Sequence, residues 1–350
     1  MILIEALTAR TKRRVGGTTL GRRLLKPLWR RLNRSEPAAR PPETLPAPKA
    51  EPPVPEPQVY RGYDAEDLAV FEAFPPVDGT PEPGFVVDFL GVRTRVAYFP
   101  LKHVDGKVLG HPLPLGDSFH AEAVEYVGLL KSVLAATGRF VALELGAGWG
   151  PWLIGGAAAA RRRGISEIRL YGIEADPAHF VFLQTHFGDN GFDPEAHTLI
   201  QGAVGVTPGR ARWPKVADPS ADWGSRPLDN DLATIDYLGR SFDEFIDIEM
   251  YAFDNLLERE PSWDLVHIDV QGSEAELCRA SAELLDRRVR FVVVGTHSRK
   301  LDGDLMDHFF RRGWVLENEK PARFTFDPAL PTLEAMTYRD GTQVWRNPRL

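Results

Sequence analysis

The 350-residue chain contains one cysteine, Cys278. A lone thiol closes no internal disulfide and builds no cysteine-based zinc centre, so packing must hold the fold and a reducing compartment is expected. No apolar run approaches the roughly 18 residues that a membrane-spanning helix needs. Positive charge is scarce over most of the chain. The net charge is −7, yet residues 1–34 hold ten Lys or Arg against the single acid Glu5. That leaves +9 on the first 34 residues and −16 on the rest. An acidic body of this kind does not suggest nucleic acid as the main partner, and none is expected.

What is present divides into four parts. Residues 1–34 place Leu20, Leu24, Leu25, Leu28, Trp29 and Leu32 at three- to four-residue spacing among Arg22, Arg23, Lys26, Arg30 and Arg31. This reads either as an amphipathic helix for an anionic membrane surface or as a solvated basic arm. A secretory signal is not expected, because no uninterrupted apolar core follows the charges. Residues 35–59 are rich in Pro, Ala and Glu and read as a semi-extended, disordered linker. Residues 60–137 read as a small α+β addition. In it Phe85 to Phe99 forms two short strands turning at Gly91, and residues 118–136 form a helix capped by Asp117 or Ser118.

From residue 138 onward, strands and helices alternate. Strands are expected at Val141–Leu145, Ile168–Ile173, Thr198–Val204, Leu265–Asp269 and Phe291–Gly295. Helices are expected at Pro151–Arg163, Pro177–Phe187, Glu274–Asp286 and Leu301–Arg312. This order predicts a mostly parallel, doubly wound sheet. Thr325–Phe326 and Met336–Trp345 have no helices between them and are expected to add antiparallel edge strands. Residues 205–262, with Trp213, Trp223 and many Pro and Gly, break the rhythm. They read as a substrate loop or as a surface excursion.

The sharpest motif is Glu144-Leu145-Gly146-Ala147-Gly148-Trp149-Gly150, between a strand and a helix. Its glycines allow a tight turn and close approach of a ligand. At the end of the next strand stands Glu174, where a carboxylate can accept both hydroxyls of a ribose. Turn and acid together specify a nucleoside. A dinucleotide fingerprint requires a sixth-position glycine, which here is Pro151, and the Glu144 charge would repel a pyrophosphate. The same charge suits S-adenosylmethionine, which carries an ammonium and a sulfonium. The expected cofactor residues are therefore Glu144, Gly146, Ala147, Gly148, Gly150, Glu174, Ala175, Gln201, Gly202, Ala203 and Asp269, with Gln201 a candidate for hydrogen bonding the base. A NAD(P)-dependent Rossmann oxidoreductase is the first alternative.

These residues resemble the FkbM-type methyltransferases. Leu143–Gly148 and Ile173–Pro177 carry the likeness, joined by Trp263–Glu274, which is similar to that family's Ile-Asp-Val-Glu-Gly-Ala-Glu strand. Phe253–Leu257 and Gly295-Thr296-His297 echo further family segments. The resemblance spans roughly residues 138–318. It departs at Gly148-Trp149 where the family has Asn, at Gln271 where it has Glu, and at Gly295 where it has Glu. It implies a Rossmann-like class I methyltransferase fold and O-methylation of a sugar, glycan or secondary-metabolite hydroxyl. The departures leave open a catalytically inactive, methyltransferase-like binding module.

Methyl transfer to a hydroxyl needs alignment and a proton acceptor. Ligands of open α/β sheets sit beyond the carboxyl ends of the strands. That rule nominates Asp269 and His297, with Glu274 on the following helix. His267, in mid-strand, reads as a hydrogen-bonded interior residue. Asp269 and Glu274 are too few for a magnesium site, and no metal is expected. The acceptor is a small molecule or glycan. The expected location is the cytoplasm, at the inner membrane face if the basic arm attaches there.

Overall fold

The computed structural model describes residues 62–99, 102–112, 120–228 and 234–350. The basic arm, the linker, Asp117 and Ser118 lie outside the described residues. The described residues belong to one compact unit, Val59–Leu350.

In chain order the elements begin with helix α1 (Ala69–Glu72), strands β1 (Phe85–Val87) and β2 (Arg93–Arg95), and helix α2 (Ala123–Ala135). Next come β3 (Arg139–Leu145), α3 (Pro151–Arg162), β4 (Glu167–Glu174), α4 (Pro177–Asp189) and β5 (Thr198–Gln201). An inserted group follows: β6 (Ala203–Gly205), β7 (Gly209–Pro214), β8 (Phe245–Ala252) and α5 (Phe253–Leu257). The chain then runs through β9 (Trp263–Ile268), α6 (Glu274–Ala280), α7 (Ala282–Arg288), β10 (Val289–Thr296) and α8 (Arg299–Arg311). It ends with β11 (Val315–Lys320), β12 (Arg323–Phe324), β13 (Thr337–Arg339) and β14 (Gly341–Arg346).

The central sheet has seven strands in the order β11-β14-β10-β9-β3-β4-β5. The strands from β10 to β5 pair in parallel, and β14 is antiparallel to both neighbours. The fold is thus a Rossmann-like, mostly parallel doubly wound sheet with an antiparallel edge. β14 lies inside that edge and β11 outside it.

Strand periodicity builds two cores, one on each face. In β3, Phe140 and Ala142 join the core under α2, α3 and α4, while Val141, Leu143 and Leu145 join the core under α5 to α8. In β10, Phe291 and Val293 face the first core, and Val292 and Val294 the second. Helix α3 approaches β3 closely because residue 156 is glycine; a Cβ there would stand 2.8 Å from the Phe140 ring.

Some expected boundaries shift. Helix α2 starts at Ala123 behind a capping box in which the Glu122 N–H donates to Glu125 at 2.9 Å. The single helix expected over Glu274–Asp286 is two, with Ser281 ending α6 and preceding α7. The irregular stretch 205–262 supplies two strands, β7 and β8, of a three-stranded sheet in the order β6-β8-β7. It docks where residue 202 is glycine; a Cβ there would stand 2.6 Å from the Glu249 carbonyl oxygen and 2.7 Å from the Tyr251 ring. β3 and β9 are neighbours but reach the sheet from opposite directions of winding. The crevice at their carboxyl ends is where such folds bind ligands.

Candidate active site

A cavity of about 900 Å³ opens at that crevice. The glycine turn forms its floor and is pinned from two sides. The N–H groups of Gly146 and Ala147 donate to the Ile173 carbonyl at 3.0 and 2.9 Å. On the other side, a Cβ on Gly146 would lie 1.8 Å from the Asp269 carbonyl oxygen, and φ there is +69°. Only glycine fits this position.

Glu174, at the end of β4, reaches into the turn. One carboxylate oxygen accepts from the Gly148 N–H and the other from the Asp176 N–H, each at 2.7 Å. Burial pushes its pKa up to about 7 against the pull of these donors. Glu144 is also buried, and its Oε2 accepts from the Leu153 N–H at 3.0 Å. It sits at the positive end of α3, which favours a carboxylate, but burial is the larger effect and raises its pKa well above the ordinary value.

Asp269, just past β9, lines the cavity. Its Oδ1 lies 3.1 Å from His297 Nε2, and His297 Nδ1 lies 3.0 Å from Glu274 Oε1. Although burial works against it, the two carboxylates hold the His297 pKa well above 6.5. With a carboxylate near each ring nitrogen, His297 is better placed to donate than to accept a proton. Its charge and proximity in turn help hold the Asp269 carboxyl below its usual range despite burial. Glu274 is fully buried and accepts from the N–H groups of Val270 and Gly272 at 3.0 Å each. It supports His297 from behind. Asp269, Glu274 and His297 offer donor atoms within 4.8 Å of one another. Because each imidazole nitrogen already faces a carboxylate, this set fits an ion-paired histidine better than a metal ligand.

Gln271 holds the same oxygen of Asp269 that faces His297. It is the one non-glycine residue with positive φ, +57°, among the described residues. Backbone strain of this kind gathers at functional sites. Its Nε2 donates to Asp269 Oδ1 at 3.0 Å, and its Oε1 accepts from the Tyr237 hydroxyl at 3.0 Å. Its carbonyl accepts from Arg226 at 3.1 Å. The inserted segment is thereby tied to the turn that follows β9.

Aromatic rings close the mouth. Trp223 stacks on His179 with centroids 3.9 Å apart and on Phe99 at 5.3 Å, and meets Trp149 edge to face at 4.8 Å. A Cβ on Gly148 would stand 3.2 Å from its ring. Trp149 Nε1, Trp213 Nε1, Ser225 Oγ and His267 Nδ1 are buried without a hydrogen-bond partner. All four residues line this cavity. Buried polar groups are nearly always paired, so their clustering marks a surface built for a polar ligand. His267, read from the sequence as a satisfied interior residue, is one of them, and burial lowers its pKa to about 4.

Of the expected cofactor residues, Glu144, Gly146, Ala147, Gly148, Glu174, Ala175, Gly202, Ala203 and Asp269 line the cavity. Gly150, Gln201, Glu274 and His297 do not form its wall. Gln201, at the end of β5, is exposed and does not line the cavity. Gly150 serves the fold: its φ is +74°, and a Cβ would strike Leu183 at 2.5 Å. Sequence reasoning missed Trp149, Trp152, Glu125, His120, Arg226 and Asp340, which complete the wall. Only the tryptophan-rich segment 205–262 gave advance notice of Trp213 and Trp223.

A sequence profile described as "Methyltransferase FkbM domain" matches residues 156–339. A curated protein of Jannaschia sp. (strain CCS1), described as "Putative methyltransferase", is 32% identical over 273 residues, covering 77% of this chain and 95% of that protein. Among solved structures, a methyltransferase FkbM from Methylobacillus flagellatus KT has a TM-score of 0.37 at 12% identity, covering 64% of this chain and 54% of that one. A precorrin-6y C5,15-methyltransferase from Geobacter metallireducens GS-15 has a TM-score of 0.36 at 14% identity, covering 65% and 89%. At such scores these two structural likenesses carry no functional argument.

Proposed function

The chain belongs to the FkbM methyltransferase family, and we propose that it transfers the methyl group of S-adenosylmethionine to a hydroxyl oxygen of a sugar, glycan or secondary metabolite. One observation carries the cofactor reading. The Glu174 carboxylate and the Gly146–Gly148 turn meet at 2.7 Å on the wall of one cavity, which gives a ribose acceptor and a close-approach turn side by side. The orphaned polar atoms on the same wall fit a nucleoside with an amino-acid tail.

Bound there, S-adenosylmethionine supplies a methyl group already activated by its sulfonium. The protein's own work is alignment and proton handling. Glu174 holds the ribose, and the glycine turn admits the cofactor without steric cost. Asp269 faces the acceptor, orients its hydroxyl and accepts the proton as the oxygen attacks. His297 and Glu274 keep Asp269 ionised and aimed, as does Gln271. The aromatic mouth excludes water from the reacting groups. The wall carries Glu125, Glu144, Glu174, Asp269, Glu276 and Asp340 beside Arg226, and burial pushes Glu125, Glu144 and Glu174 toward the neutral form, so it offers many carboxyl hydrogen-bonding groups and few cations. This favours a neutral polyhydroxyl acceptor over a phosphorylated or uronic one.

The test is calorimetric titration of the purified protein with S-adenosylhomocysteine and with NAD. Binding of the first and not the second is expected. Transfer of labelled methyl to a panel of neutral glycans should be lost in Asp269→Ala while S-adenosylhomocysteine still binds. Affinity for NAD alone would instead establish the oxidoreductase alternative.

A further inference from the structure

We infer that Trp213 reads the adenine base of the cofactor, donating its indole N–H to a ring nitrogen of adenine. The inference rests on the S-adenosylmethionine reading above and adds a specificity residue to it. Trp213 lies in β7, outside the central sheet, in the inserted three-stranded group. Its side chain packs with Ala175, Ala203 and Ile248 in a small apolar cluster of its own. Ala175 directly follows Glu174, and Ala203 follows the end of β5. A ribose held by Glu174 would leave the base to the part of the cavity lined by Ala175, Gly202 and Ala203, a cavity that Trp213, Met250 and Val206 also line. Gly202 lets the inserted sheet press against this end, since its missing Cβ leaves room for the Glu249 carbonyl and the Tyr251 ring.

The indole nitrogen is the decisive atom. Trp213 is 6% exposed, and its Nε1 is buried without a partner. An indole N–H only donates, so its partner must be an acceptor. The base offers ring nitrogens as acceptors, and the surrounding cluster is apolar. Leaving such a donor unpaired is costly, and a bound base removes the cost. Gln201, for which the sequence left base contact and a purely structural role equally open, is exposed and does not line the cavity.

Calorimetry decides between outcomes. Wild-type protein and Trp213→Phe are titrated with S-adenosylhomocysteine and with its 1-deaza, 3-deaza and 7-deaza analogues. The expected result is about three- to tenfold weaker binding of S-adenosylhomocysteine by Trp213→Phe, the range of one neutral hydrogen bond. One deaza analogue should bind the wild type more weakly by a similar factor and show no further loss in the variant. Equal affinity of both proteins for S-adenosylhomocysteine overturns the inference. So does equal affinity of the wild type for all three analogues, a result that holds even if the variant does not fold. Absence of any S-adenosylhomocysteine binding by the wild type overturns the cofactor reading itself, and this inference with it.

Discussion

One carboxylate and one imidazole of the site, Glu174 and His297, each predict a measurable pH effect. Glu174 holds its proton up to about pH 7 because it is buried. Below that value it is neutral and a poorer acceptor for ribose hydroxyls. Affinity for S-adenosylhomocysteine is therefore expected to fall by about tenfold as pH drops through this range, and Glu174→Gln should flatten the dependence. His297 behaves differently. Its folded pKa is raised well above 6.5 by Glu274 and Asp269. A raised value contributes stability that is whole below the unfolded pKa and drains away as pH rises toward the folded one. The melting-temperature gap between wild type and His297→Gln should thus be widest below pH 6.5 and shrink on the alkaline side. A gap that grows with pH would contradict the imidazolium assignment. The sequence located Asp269, Glu174 and the glycine turn because strand ends and spacing are visible in one dimension. It did not locate His267, since alternation along β9 cannot tell that neighbouring side chains leave its Nδ1 unpaired.

Among the elements, the turn between β3 and α3 is the most constrained. Gly146→Ala would force a Cβ to within 1.8 Å of the Asp269 carbonyl oxygen, and a backbone atom cannot swing aside. Gly138 has a similar φ of +74° but meets nothing within 4 Å. Urea unfolding should show about 1 kcal/mol lost for Gly138→Ala, the left-handed backbone cost alone. Gly146→Ala should lose at least about 3 kcal/mol. The same comparison shows what sequence patterns can reach. The central strands were legible because both faces of β3 and β10 are apolar. Strand β11, Val315–Lys320, was not, because half its length is charged and its outer residues face solvent. The inserted sheet escaped for a related reason: β7 and β8 are half exposed, so neither carries a clean apolar period. The helix cap at Glu122 was missed because the capping box uses a glutamate pair, Glu122 and Glu125, rather than the usual hydroxyl or aspartate.

At the scale of the molecule, the acidic catalytic body and the basic first 34 residues invite separate experiments. Among the described residues no helix is long and apolar enough to cross a membrane. The first 34 residues predict a surface contact instead. The full chain is expected to float with vesicles containing anionic lipid, to be released at about 0.5 M salt, and to lose the association when residues 1–34 are removed. Retention in high salt, or by neutral vesicles alone, would refute an electrostatic anchor. The contact between Asp269 and the glycine turn reaches further than packing. One side of that contact belongs to the residue proposed to meet the acceptor, the other to the loop proposed to meet the cofactor. Neither can shift without the other, so the affinities of the two reactants are linked, and by the same factor in each direction. Each reactant should therefore change the apparent affinity for the other, visible as initial-rate double-reciprocal lines that cross off the abscissa rather than on it.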